Sequence, residues 1–377
     1  MQEFREARRL FVVGICLFLL SNPMLAMHGE SGDGKPVVHA NAASYQRAAH
    51  ALDTLQGWYN PTTGLYQTTG WWNSANAITA LTDFSRIRKT KKYNPILANT
   101  FTAAQKTSKR FLNDYYDDEG WWALAWIDAY DLTGRKEYRA MAETIFADMA
   151  ASWDDTCGGG IWWSRDRKYK NAIANELFLS VAAHLANRHT SKRAFYLQWA
   201  NKEWSWFAQS GMINSQSLIN DGLTITTGNN GTSTCKNNGQ NVWSYNQGVV
   251  LGGLVELSKG SQNPALLRTA SEIATAAIQA LADQKGVLHD PCEPKCGADG
   301  TQFKGIFVRN LTVLQKAAPS NDYVSVVKVN ADSIWDSAQG PNYQFGQVWT
   351  GAFDQGEAGS QSSALDALVA AAVLQGR

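Results

Sequence analysis

Apolar residues recur at helical spacing along almost the whole chain after residue 40, and strand-like alternation is rare. The helical segments fall into pairs. One member of each pair is an ordinary amphipathic stretch, over 44–57, 95–113, 136–152, 191–209, 263–283 and 321–337. The other opens with small, polar and aromatic residues and continues too apolar for a surface helix, as over 174–186 and 249–257. Those openings are Trp71-Trp72-Asn73-Ser74-Ala75-Asn76, Asp117-Asp118-Glu119-Gly120-Trp121-Trp122, Asn171-Ala172-Ile173-Ala174-Asn175-Glu176, Trp243-Ser244-Tyr245-Asn246-Gln247-Gly248, Phe303-Lys304-Gly305-Ile306-Phe307 and Ser360-Gln361-Ser362-Ser363-Ala364. Six such pairs predict an all-α fold, an (α/α)6 toroid of six helical hairpins with the apolar helices inside. The run Leu223-Thr224-Ile225-Thr226-Thr227 predicts a local hairpin rather than a sheet. The inner-helix N-termini then gather on one face. Their unpaired N–H groups and positive dipole ends suit carboxylates and hydroxyl-bearing ligands.

The first residues change this picture only by being removed. Arg5, Arg8 and Arg9 precede an apolar run from Leu10 to Leu20, and small Ala26 follows, which predicts a signal peptide over 1–26 and a single domain over 27–377. That run is shorter than the roughly 20 apolar residues that span a bilayer. Without the signal the chain carries 31 basic and 31 acidic residues, so it offers no basic stripe for nucleic acid. An uncharged, polar ligand fits better, and the chain is expected to be a secreted monomer.

Export also frames the cysteines. Cys157, Cys235, Cys292 and Cys296 remain after the signal, and three pairings are possible. The spacing Cys292-Glu293-Pro294-Lys295-Cys296 suits a tight local loop and leaves Cys157 for Cys235. A zinc clip is disfavoured, because paired C-x-x-C units and a histidine in register are absent from the sequence. Asn230 and Asn310 head two glycosylation sequons, of which Asn310 interrupts an apolar helical pattern.

Candidate chemistry lies in two adjacent acidic pairs. Glycosidic bonds are commonly broken by two carboxyl groups with opposite demands on their protonation. Asp117-Asp118 opens an inner helix between Tyr115-Tyr116 and Trp121-Trp122. Asp154-Asp155 instead closes an outer helix before a glycine run, where a solvated turn accounts for it. Adjacent helical residues point about 100° apart, yet at a first turn both can border one cleft. Tryptophan, at 15 residues, concentrates as Trp71-Trp72, Trp121-Trp122 and Trp162-Trp163, rings that stack on sugars or simply fill a core.

At Asp114-Tyr115-Tyr116-Asp117-Asp118-Glu119-Gly120-Trp121-Trp122-Ala123-Leu124-Ala125-Trp126 the chain resembles glycoside hydrolase family 76, the α-1,6-mannanases. Gly158-Gly159-Gly160-Ile161-Trp162-Trp163, Asn220-Asp221-Gly222-Leu223, Trp243-Ser244-Tyr245-Asn246-Gln247-Gly248 and Phe303-Lys304-Gly305-Ile306-Phe307 extend the resemblance over essentially the whole chain after the signal. It implies an (α/α)6 toroid, retaining hydrolysis of internal α-1,6-mannosidic bonds, and no metal or cofactor. By position Asp117 is the nucleophile and Asp118 the general acid/base, and Asp221 binds sugar hydroxyls. Trp72, Asn73, Trp121, Trp122, Trp163, Tyr245, Asn246, Gln247 and Lys304 are the further candidate substrate contacts.

A second branch of that family is membrane-anchored and remodels cell-wall glycan by transfer. The end Ala370-Ala371-Ala372-Val373-Leu374-Gln375-Gly376-Arg377 lacks the pattern of a GPI signal, so no membrane anchor is expected. Transglycosylation and non-catalytic mannan binding are the alternatives to hydrolysis.

Overall fold

The computed structural model describes residues 35–228 and 233–374, with side chains from residue 42. The expected signal at 1–26 and the sequon at Asn230 lie outside the described residues. Six outer–inner pairs follow one another along the chain. They are α1 (Lys35–Gln56) with α2 (Trp71–Ile87), α3 (Asn94–Ala103) with α4 (Tyr116–Thr133), and α5 (Lys136–Ala151) with α6 (Ala172–Arg188). Then come α7 (Arg193–Phe207) with α8 (Ser244–Ser261), α9 (Ala265–Leu281) with α11 (Phe303–Ala317), and α12 (Asn321–Asp336) with α13 (Ala358–Leu374); α10 (Gly297–Gly300) is a single turn before α11. Each inner helix packs on the next, and α13 closes the ring onto α2. The result is the expected toroid.

The ring is tight because its inner helices meet through small residues. A Cβ at Gly248 would lie 2.6 Å from the Phe307 Cα, and one at Gly305 would lie 2.5 Å from the Ser363 Cα. Backbone approach of this kind admits only glycine. Amides near the inner-helix starts then fasten the preceding loops. Asn175 accepts from the Ile161 N–H (2.7 Å) and donates to its carbonyl (3.1 Å). Gln247 does the same to Ile219 (2.9 and 2.8 Å), and Gln361 accepts from the Phe345 N–H (2.9 Å). Buried main-chain groups in loops are thereby satisfied without a sheet.

The outer helix expected over 95–113 is the one clear departure. It stops at Ala103, and the chain continues through two short 3-10 turns in which Arg110 and Phe111 have positive φ. Phe111 is buried against Trp71, Trp122 and Trp126, so side-chain packing overrides helical periodicity there. The turn delivers residues 113–116 alongside 163–165, where Tyr115 and Ser164 form an isolated bridge. A two-residue ladder of β1 (Tyr59–Asn60) with β2 (Leu65–Tyr66) precedes α2, and the expected hairpin is present as β3 (Leu223–Thr227) paired antiparallel with β4 (Ser233–Asn237).

Candidate active site

Asp117 and Asp118 are the second and third residues of α4, in its first turn. Helix N-termini favour carboxylates. The approach to the helix is held by backbone bonds: the Tyr116 N–H donates to the Trp163 carbonyl (2.9 Å) and the Arg165 N–H to that of Asp114 (2.9 Å). Arg165 clamps the segment from behind, donating to the Asn113 carbonyl (2.7 Å), to Glu119 (2.7 Å) and to Asp148 (2.7 Å).

Each aspartate has its own neutral donor. The Trp163 indole N–H reaches Asp117 Oδ2 (3.1 Å), leaving Oδ1 without a protein partner. The Asn113 amide donates to Asp118 Oδ2 (2.5 Å). Burial raises the pKa of Asp117 well above the carboxylate range, and the Asp118 charge raises it further against the Trp163 hydrogen bond. Burial also raises Asp118, opposed by Asn113 and assisted by the charge of Asp299. The two carboxyls therefore resist ionising together, which is what a nucleophile paired with a proton donor requires.

Asp221 stands on the loop entering β3. Its Oδ2 accepts from the Tyr169 hydroxyl (2.5 Å) and its Oδ1 from the Trp243 indole (3.0 Å). Beneath these carboxylates lies a floor of rings. Trp72 stacks on Trp121 (5.5 Å between centroids), Trp121 on Tyr245 (6.4 Å), and Tyr245 on Phe303 (3.8 Å). Such faces suit the C–H surface of a pyranose.

The disulfides are Cys157–Cys235 and Cys292–Cys296, the pairing the spacing favoured. The first ties β4 to the loop that carries Trp162 and Trp163. That loop is also organised by Lys170, whose buried ammonium donates to Asp154 Oδ1 (2.8 Å) and to the carbonyls of Thr156 (2.8 Å), Gly159 (2.7 Å) and Gly160 (3.0 Å). Asp154 additionally accepts from the Trp162 indole (2.7 Å), so it serves as a loop anchor rather than as an acid in the cleft.

Several expected sugar contacts lie elsewhere. Trp122 is fully buried among Trp71, Phe111 and Trp126. Asn73 is buried, donating to Gln302 (2.9 Å) and accepting from the Gly70 N–H (3.1 Å). Gln247 is the backbone clamp described above. Lys304 is buried against Glu293 and the Gln347 carbonyl (2.9 Å), with its ammonium over the Trp349 ring. Asn246 is buried with neither side-chain atom partnered. These polar residues looked exposed because they open helices, but in a closed ring those openings also meet neighbouring loops. Asn310 faces inward too, donating to the Ile306 carbonyl (2.9 Å), and a Cβ at Gly252 would lie 2.2 Å from its Oδ1. That packing disagrees with a glycan there.

Sequence reasoning missed Asn113, Tyr169, Trp243, Asp299 and Phe303. Trp243 and Phe303 each open an inner helix and carried a usable signal. Asn113 and Tyr169 lie in loops and carried none.

A helical toroid whose inner-helix N-termini set two adjacent, individually oriented carboxylates over an aromatic floor defines a glycoside hydrolase. The chain belongs to glycosyl hydrolase family 76, whose model matches residues 39–377. It is 27% identical to mannan endo-1,6-alpha-mannosidase DFG5 of Candida albicans over 353 residues, 83% of this chain and 74% of that protein. To the DFG5 enzyme of Saccharomyces cerevisiae it is 25% identical over 346 residues, 84% and 74% of the two chains. The α-1,6-mannanase of Salegentibacter sp. HEL1_6 shares the fold with a TM-score of 0.78 at 21% identity, covering 88% of this chain and 99% of that one. Dfg5 of Chaetomium thermophilum, solved with glucosamine, superposes with a TM-score of 0.76 at 20% identity, covering 88% and 91%.

Proposed function

We propose that this protein hydrolyses internal α-1,6-mannosidic bonds of mannan with retention of configuration, through Asp117 and Asp118. The observation that carries the proposal is the aspartate pair itself, two adjacent carboxyls that share one site, resist joint ionisation and are each oriented by a neutral side-chain donor. The substrate follows from the relatives, several of which are named for that bond.

Asp117 attacks the anomeric carbon. The Trp163 indole holds its Oδ2, while Oδ1 is buried without a partner. Asp118 protonates the leaving oxygen and then activates water against the glycosyl-enzyme. Burial raises both carboxyls, so the pair keeps one shared proton, and the mechanism places it on Asp118 once substrate is bound, with Asp117 ionised. The Trp163 hydrogen bond and the helix N-terminus favour that arrangement. Asp221, Trp72 and Tyr245 bind the sugar around the cleavage point, with buried Trp121 supporting the Trp72 ring. An open floor built by four inner helices suits several sugar units and hence internal cleavage. Two disulfides fit export through an oxidising compartment.

Digestion of linear α-1,6-mannan tests this. Mixed oligosaccharides should dominate the early products, and NMR should first register the α-anomer at new reducing ends. Mannose alone from the start would contradict internal cleavage, and initial β-anomer would contradict the double displacement.

A further inference from the structure

Four carboxylates border the cleft, and among the described residues none is paired with a cation. Asp117, Asp118 and Asp221 have the roles given above. The fourth, Asp299, lies in α10, outside every motif that marked the site in the sequence. It is exposed, yet it is fixed at both levels of structure.

Its side chain is oriented by Trp72, whose indole N–H donates to Asp299 Oδ1 (3.0 Å) while the same ring stacks on Trp121 in the floor. Its backbone is fixed by the Cys292–Cys296 disulfide, against which Gly300 packs so closely that a Cβ would lie 3.2 Å from Cys292 Sγ. The turn is then bolted to the ring. Thr301 donates to the Ala298 carbonyl (2.8 Å), and the Gln302 amide donates to the Asn73 carbonyl (3.0 Å) and to Ser362 (2.6 Å). An exposed acid on a rigid mount, with one oxygen held and the other free, is suited to accepting hydroxyl hydrogen bonds.

Its side of the cleft follows from what holds it. Asp299 is tied to Trp72 of α2, on one flank of α4, whereas Asp117 is held by Trp163 from the loop before α6, on the other flank, and the Asp299 charge helps to raise Asp118. The proton donor's side of a scissile bond is the leaving-group side.

We propose that Asp299 binds the mannosyl unit on the leaving-group side of the scissile bond, accepting hydroxyl hydrogen bonds that hold that unit over Trp72. The inference rests on Asp118 being the acid. It makes Asp299 a determinant of the departing sugar, and of any sugar acceptor, rather than of the bond-breaking step.

The test compares two leaving groups in the full chain. With Asp299→Asn, kcat/KM on linear α-1,6-mannan and on α-1,6-mannotriose should fall about 10- to 100-fold, the worth of a hydrogen bond to a charged group, mostly through KM. Hydrolysis of α-1,6-mannobiosyl fluoride, whose leaving group is not a sugar, should stay within twofold of wild type. A second readout is the pH profile on mannan. Asp118 is faced by Asp117 and Glu119 on its own helix, by neutral Asn113, by Arg165 behind Glu119, and by Asp299 from the turn. Removing the Asp299 charge lowers the Asp118 pKa, so the alkaline limb should move to lower pH. Equal losses on fluoride and mannan, or no loss on mannan, would overturn the proposal. Wild-type protein that leaves linear α-1,6-mannan intact while turning over the fluoride would instead overturn the substrate reading, so the two failures are distinguishable.

Discussion

The cleft and the C-terminal end of the inner ring treat acidic residues in opposite ways. In the cleft, the side-chain donors to Asp117, Asp118, Asp221 and Asp299 are indoles, a phenol and an amide. Toward the C-terminal end each acid on the axis meets a cation. Arg188 joins Asp131 (2.7 Å) and Glu256 (2.9 Å), Lys259 also reaches Glu256 (2.8 Å), Arg309 holds Asp366 (3.1 Å), and Arg86 bridges Asp83 and Asp128. Arg86, Arg188 and Lys259 sit in last helical turns, where the dipole favours positive charge. The electrostatic outcome differs most at Glu256. Burial alone would raise Glu256, but His184, Arg188 and Lys259 hold it well below the carboxylate range, whereas Asp117 and Asp118 stay high. Neutral donors orient a carboxylate without opposing its burial with charge, whereas cations oppose burial, fully at Glu256 and in part at Asp128 and Asp366. One end can exchange protons and the other holds the ring together.

The largest effect that would break this contrast is expected at the pair itself. Asp117→Asn and Asp118→Asn should each lower kcat/KM on α-1,6-mannan by roughly 10³-fold or more, within the range of a lost acid, base or nucleophile role. Melting temperature should hold or rise, since each change removes a buried acid that resists ionisation.

Arg309→Met should do the reverse, destabilising by about 3–5 kcal/mol because Asp366 is left buried without its partner, while folded protein keeps its kcat/KM. Burial raises the Asp366 pKa to about 7, against the pull of Arg309. A carboxyl raised in the fold contributes stability below its unfolded value near 4 and loses it as pH rises through the folded value. Urea melts should therefore show a larger Arg309→Met deficit at pH 8 than at pH 5. Lost activity with unchanged stability would erase the distinction between the ends.

Trp163→Phe sharpens the comparison by removing only the indole donor to Asp117. A loss of about 10-fold in kcat with little change in KM is expected, consistent with one hydrogen bond to a developing charge. Smallest of all, Asp155→Asn, at an exposed turn, should stay within about 0.5 kcal/mol in stability and leave turnover unchanged.

The toroid was legible because periodicity is a property of many residues at once, and helix starts expected at 71, 117, 171, 243, 303 and 360 fall within two residues of those observed. The aspartate pair was legible because its setting is local in sequence. Contacts made across the ring were not. Asn73 and Gln302 are 229 residues apart, and Trp72 meets Asp299 across 227. A polar opening such as Asn73 or Gln247 reads alike whether it faces sugar or clamps a loop. Only the partner's position separates the two, and that position is set by the closed ring rather than by the neighbouring sequence. The early end of α3 was hidden for a similar reason, since Phe111 is claimed by tryptophans from α2 and α4.

Mass spectrometry of the covalent intermediate tests most directly whether the uncharged-donor end carries the chemistry. Asp118→Ala incubated with an α-mannosyl fluoride, then digested, should carry one hexosyl group on the peptide containing Asp117, and azide should release it. A label on Asp154, Asp221 or any residue other than the pair, or turnover without a covalent species, would contradict the claim that Asp117 and Asp118 break the bond.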